Sequence, residues 1–195
     1  MLLALLIASN LGARIADRAH AAAGLASVRE LSREANDDCS GFAGVIYRRQ
    51  GLDLAALPAR PGENGVANIH RLARGRRALR SRPHAGDLVF FRETTARGGL
   101  THIGIVDQVG PAGRATFVHR AGSGIVRSRL DLRHPHQRRT NDVLRRGPHP
   151  RLAGELVAGF ASPDRLTASP ARTRYRPADT AARSARGAGR SRRHS

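Results

Sequence analysis

The apolar positions change period part-way along the chain, and Pro83 marks the change. Before it they recur at helical spacing; after it they come in short runs separated by glycine-containing turns. Residues 1–12 hold a short apolar segment, Leu2, Leu3, Leu5, Leu6 and Ile7. It has no positive stretch before it and no small-x-small site after it, so it reads as a poor export signal or as a first helix. The alanine-rich stretch Ile15 to Val28 predicts a helix with Gly24 as its weak point. Asn36-Asp37-Asp38 supplies an N-cap for a helix that opens at Cys39, buries Phe42, Val45 and Ile46, and ends near Gly51. Pro58, Pro61, Gly62 and Gly65 mark a loop, and Val66 to Leu79 predicts another helix with a basic outer face.

Beyond Pro83, four runs predict antiparallel strands: Asp87–Phe91, His102–Val106, Ala115–His119 and Gly124–Ser128. Gly110-Pro111-Ala112-Gly113 makes the second and third a hairpin, and Gly122-Ser123-Gly124 is a turn, not a phosphate loop. Glu155–Phe160 is apolar but of undetermined type. After Ser162 arginines are scattered among Ala, Ser, Pro, Gly and Thr with almost nothing to bury, so residues 163–195 are expected to be a disordered basic tail. Helices followed by strands predict an α+β fold, with N-terminal helices packed on an antiparallel sheet in one domain over residues 13–162.

Composition narrows the chemistry. Aromatics make up 4% of the 195 residues and tryptophan is absent, so Leu, Val, Ile and Ala must fill the core. Cys39 is the single cysteine, which excludes an intrachain disulfide and any zinc site needing two thiolates. No run reaches the roughly 20 apolar residues of a membrane-spanning helix. All 34 basic residues are arginines, against 15 acidic ones, for a net charge of +19. The absence of lysine excludes a P-loop NTPase. The arginine excess runs through every segment, as a GC-rich coding bias would produce, and it also suits an anionic partner such as an envelope polymer. The cluster Arg71, Arg74, Arg76, Arg77 and Arg80 has no interleaved aromatics, so no specific nucleic-acid site is expected. His134-Pro135-His136 lacks a third ligand at metal-binding spacing, and neither metal nor cofactor is expected.

Cys39 is the natural nucleophile. The first turn of a helix feels the positive end of the dipole, which favours thiolate, and its free N–H groups can receive an oxyanion. Gly41 leaves room for a substrate backbone. A base must come from elsewhere. His102 opens one predicted strand and His119 closes the next, so a hairpin can set them side by side, one as base and one orienting it.

Asp38-Cys39-Ser40-Gly41-Phe42, Gly86-Asp87-Leu88-Val89-Phe90-Phe91, Thr101-His102-Ile103-Gly104-Ile105-Val106 and Phe117-Val118-His119 resemble, in order, the motifs of the NlpC/P60 cysteine peptidases over roughly residues 30–130. The resemblance implies a papain-like fold with Cys39 as nucleophile, His102 as general base and His119 as the orienting third residue. It further implies that Asp38 and Ser40 bind the free amine end of a peptidoglycan stem peptide, and that the γ-D-glutamyl–diamino acid bond is cut. A monomer acting in the cell envelope, in the periplasm or after secretion is expected on the same ground. Two alternatives stand beside it. The related CHAP amidases place an acidic or amide residue third, a role open to Asp107. A catalytically silent wall- or polyanion-binding protein would also fit, because the tyrosine that family hydrolases often carry upstream of the nucleophile is missing; Tyr47 and Tyr175 both follow Cys39.

Overall fold

The computed structural model describes residues 2–167, with side chains from Leu11 onward. Three helices come first: α1 (Leu2–Ala21), α2 (Cys39–Arg48) and α3 (Gly65–Gly75). Each of the latter two starts where the sequence offers a capping side chain. Asp38 accepts from the Gly41 amide and Asn64 from the Ala67 amide, satisfying donors that the first turn leaves free. In α3, Val66, Ile69, Leu72 and Ala73 are buried while Arg71 and Arg74 face outward, the amphipathic spacing read from the sequence. The helix expected to run to Val28 stops at Ala21 instead. Gly24 takes φ +98° and its amide donates to the Ile125 carbonyl, so the chain leaves the helix to line a sheet edge.

The strands are β1 (Leu79–Arg80), β2 (Leu88–Arg92), β3 (Leu100–Val109), β4 (Arg114–Ala121), β5 (Gly124–Asp131), β6 (Val143–Arg145), β7 (Arg151–Leu152) and β8 (Val157–Ala161). Six of them form one antiparallel sheet in the order β1-β8-β2-β3-β4-β5, and β6 pairs with β7 apart from it. The fold is therefore α+β, as expected. Glu155–Phe160 resolves into the end of a one-turn helix, α4 (Ala153–Leu156), and most of β8, which inserts between β1 and β2. Only the fully paired setting of that strand explains its run of apolar residues.

Alternation along the strands makes two apolar layers. Leu88, Phe90, Ile103, Ile105, Val118 and Ile125 face α1, α2 and α3, together with Phe42, Ile46 and Tyr47 from α2. Val89, Phe91, Val106, Phe117, Leu130 and Phe160 face the other way, under α4. A last short helix, α5 (Pro163–Thr167), buries Pro163 and Leu166 and contacts α1, so ordered chain continues past Ser162. The remainder of the expected tail, residues 168–195, lies outside the described residues.

One close crossing ties α1 and α2 to the start of β2. The Tyr47 hydroxyl donates to the Gly86 carbonyl at 2.6 Å, and Asp87, fully buried, accepts from the Arg80 guanidinium and from the His84 amide. Gly86 has φ +83°, and a Cβ there would stand 2.2 Å from the Gly12 carbonyl oxygen of α1. Gly86→Ala combines a left-handed backbone with a backbone clash, and should lower stability by about 2 kcal/mol or more. Urea unfolding of the two proteins measures it; an unchanged midpoint would show that α1 does not dock this closely.

Candidate active site

Cys39 is the first residue of α2, half-buried against the helix-side core. Its sulfur sits among backbone N–H groups, those of Ile103 on β3, Ser40 and Cys39 itself, and each favours thiolate. Burial acts the other way and is larger, pushing the thiol above its ordinary value, with the Asp38 carboxylate adding to the rise. The expectation of a thiol lowered by the helix N-terminus is thereby corrected: desolvation outweighs the dipole, and Cys39 is protonated at neutral pH.

The residues around it are held by the turn. Asp38 Oδ1 accepts from the Ser40 hydroxyl and the Gly41 amide, both at 2.7 Å, so that oxygen caps the helix. Gly41 has its own constraint: a Cβ there would stand 2.0 Å from the Asn36 carbonyl oxygen. The space that the missing side chain leaves is filled by the preceding loop. Asp37 reaches the histidine-bearing strand, since its two oxygens accept from Arg120 Nε and Nη2 at 2.8 and 2.9 Å. The Arg120 guanidinium, with the Val28 amide, holds that carboxyl well below the usual carboxylate range. This bidentate pair links the loop before Cys39 to the residue after His119.

The two histidines meet. His102 Nε2 and His119 Nδ1 lie 2.8 Å apart, with the rings edge to face and their centroids separated by 4.8 Å. They are not directly opposed, because Val118 pairs with Ile105, a register that sets His119 against Gly104. A Cβ on Gly104 would stand 2.8 Å from Phe117 Cδ2 and 3.2 Å from His119 Cβ. The bare glycine lets the His119 ring lean across β3 toward His102. Phe117 stacks on His119 at 5.0 Å, and Phe91 packs against both Phe117 and His102. Burial pushes His102 down to about 4; burial and the neighbouring His102 push His119 down to about 3. Both rings are neutral at pH 7.

The ring of His102 is bonded to His119 and not to Cys39; the sulfur instead meets the amide of the next residue, Ile103. Serine 128 joins the cluster without having been singled out in the sequence: its hydroxyl lies 3.0 Å from His119 Nε2. Asp107, the residue open to a CHAP-type role, is committed elsewhere, to Thr116, Arg127 and His20 of α1. His134 and His136 pair with different carboxylates, Asp131 and Glu155. A cavity of about 480 Å³ runs along α2 from Ser40 and Gly41 past Gly44 to Arg48, walled by Asn36 and Leu57, and neither Cys39 nor a histidine lines it.

The NlpC/P60 family profile matches residues 29–145, more than half of the chain and all of the elements just described from the Cys39 loop to β5. The chain belongs to the NlpC/P60 family. Members are mostly papain-like cysteine peptidases of cell-wall peptidoglycan, which points to the envelope as the place of action. Neither a curated protein nor a solved structure matches the chain at a significant level. Among the described residues no helix is long and apolar enough to cross a membrane.

Gly104→Ala tests the geometry of this NlpC/P60 site. The added methyl must displace Phe117 or His119, costing about 1–3 kcal/mol of stability and separating the two imidazoles. The separation is read in the imidazole N–H proton resonances. A variant with the wild-type resonances and stability would refute the role given to the glycine.

Proposed function

We propose that this NlpC/P60 protein is a cysteine endopeptidase that hydrolyses an amide bond of peptidoglycan stem peptides, the γ-D-glutamyl–diamino acid bond. The observation that carries the reading is the 2.8 Å contact between His102 and His119, on the strand whose next amide meets Cys39. It engages Nε2 of His102 and leaves Nδ1 as the nitrogen available to the thiol. A thiol–imidazole hydrogen bond that is absent in the free protein can close when substrate binds.

In the proposed reaction Cys39 and His102 both start neutral. As the sulfur attacks the amide carbonyl, its proton passes to His102 Nδ1, and the oxyanion is received by N–H groups at the start of α2. His102 then gives that proton to the departing amine, the C–N bond breaks, and a thioester remains. Water attacks the thioester with His102 again as base, releasing the acid and restoring the thiol. Asp38, through its second oxygen, and Ser40, which flank Cys39 in the chain, would hold the amine end of a stem peptide. The basic surface favours an anionic envelope polymer as the setting. His119 at the orienting position, with Asp107 occupied on the far end of β3, supports this assignment over a CHAP-type amidase.

Purified sacculi or muropeptides digested with wild type and with Cys39→Ala test the proposal: products are expected from the first only, and equal yields would end it. The pH profile gives a second expectation. A protonated His102 cannot accept the thiol proton, so kcat/KM falls on the acid side as His102 charges. With His102 pushed down to about 4, activity should persist through pH 5 and be halved near pH 4. An acid limb near 6.5, the ordinary histidine value, would show that the ring is solvated in the working enzyme.

A further inference from the structure

Building on that peptidase reading, we propose that Ser128 is a positioning residue: its hydroxyl accepts the Nε2 proton of His119 and so fixes His102 as the tautomer with a bare Nδ1. His102, His119 and Ser128 come from three adjacent strands, β3, β4 and β5, and face one side of the sheet. His119 pairs with Val126, so Ser128 is its diagonal neighbour on that face, within reach across the strand pair. The surroundings are apolar, with Phe117 directly opposite Ser128 and Leu130 beyond it. Ser128 is 8% exposed and His119 4%. Among the described residues the hydroxyl has one hydrogen-bond partner, His119 Nε2 at 3.0 Å.

The protons on this relay can point in two directions. In one, Ser128 donates to His119 Nε2, His119 Nδ1–H donates to His102 Nε2, and the His102 proton sits on Nδ1. That nitrogen is then blocked as a base. In the other, His102 Nε2–H donates to His119 Nδ1, and His119 Nε2–H donates to Ser128. Only this second direction leaves His102 Nδ1 free. It is also the only one compatible with the doubly protonated His102 that the reaction passes through, because both nitrogens of an imidazolium are donors and Nε2–H must find a bare Nδ1 on His119. His119 then carries its single proton on Nε2, and Ser128 Oγ is the acceptor the structure provides. A serine, being neutral, ends the relay without drawing positive charge onto His119, so the charge stays on the ring that serves the sulfur.

The test is imidazole ¹⁵N NMR of the full chain at neutral pH, without substrate. In wild type both His102 and His119 are expected to carry hydrogen on Nε2 only; a proton on Nδ1 of either ring overturns the proposal. In Ser128→Ala the His119 proton loses its acceptor, the His102 Nδ1–H form should appear, and kcat should fall by at least about tenfold with KM little changed. Ser128→Thr, which keeps the hydroxyl, should restore both the tautomer and kcat. A folded Ser128→Ala protein with wild-type tautomers and kcat also overturns the proposal. Should that variant not fold, the wild-type tautomers and Ser128→Thr decide alone. Since the tautomers are read without substrate, wild type that fails to cut stem peptides strikes the peptidase reading, whereas wrong tautomers in a protein that cuts them strike only the relay.

Discussion

The absence of a side chain at Gly104 is the constraint on which the site rests. Antiparallel pairing alone would set His119 against residue 104 and leave His102 two positions along the same face. A side chain at 104 would press on β4, and the methyl of alanine already meets Phe117, the Val118 carbonyl and His119. With glycine there, the two imidazoles close to hydrogen-bonding distance, and Phe117 stacks behind His119 to hold it. Ring orientation follows from that closure, which engages Nε2 of His102 and leaves its Nδ1 outside the pair.

Position along the helix axis is set differently. α2 packs its buried face, Phe42, Val45 and Ile46, onto the sheet, which fixes the height of its first turn over β3. The Asp37–Arg120 pair then ties the preceding loop to the histidine strand from outside the core. The same packing desolvates the sulfur. A helix N-terminus contributes at most about 1–2 kcal/mol of charge stabilisation, whereas taking an ion out of water costs several. Burial therefore prevails at Cys39 and also at His102, and the two groups are a neutral thiol and a neutral imidazole at pH 7. That state suits the proposed mechanism, in which proton transfer accompanies attack.

Much of this was legible in the sequence, and the rest fails for identifiable reasons. The Asn-Asp-Asp cap before Cys39 and the period of α2 and α3 are local signals, and the structure follows them, except that α3 ends at Gly75, short of the expected Leu79, which opens β1. So are the glycine turns that make β3, β4 and β5 a meander, from which the meeting of His102 and His119 could be anticipated. β8 was not legible as a strand because its partners, β1 and β2, lie far back along the chain. The early end of α1 depends on Ile125, a hundred residues on, accepting from Gly24. Ser128 looked like the polar end of an ordinary strand, since nothing local distinguishes a serine that faces solvent from one buried against a histidine. Gly41 carried a signal that was read too narrowly: it accommodates the Asn36 carbonyl, a contact within the turn itself.

The charge balance gains a structural meaning once the partners are known. Asp37, Glu63, Asp87, Asp107, Asp131, Asp142 and Glu155 each hold an arginine, and several also accept backbone amides. These seven carboxylates thus act as internal fasteners, Asp107 between α1, β3 and β5 and Asp87 between β1 and β2. Among the described residues, exposed arginines such as Arg74, Arg82, Arg92 and Arg97 then contribute the outward charge. Their attraction for an anionic polymer is a property of the whole surface, screened over about 8 Å at physiological ionic strength, and needs no dedicated site. In the proposed reaction selectivity therefore rests with the start of α2, where a half-buried thiol and a capped turn meet the Ile103 amide of β3.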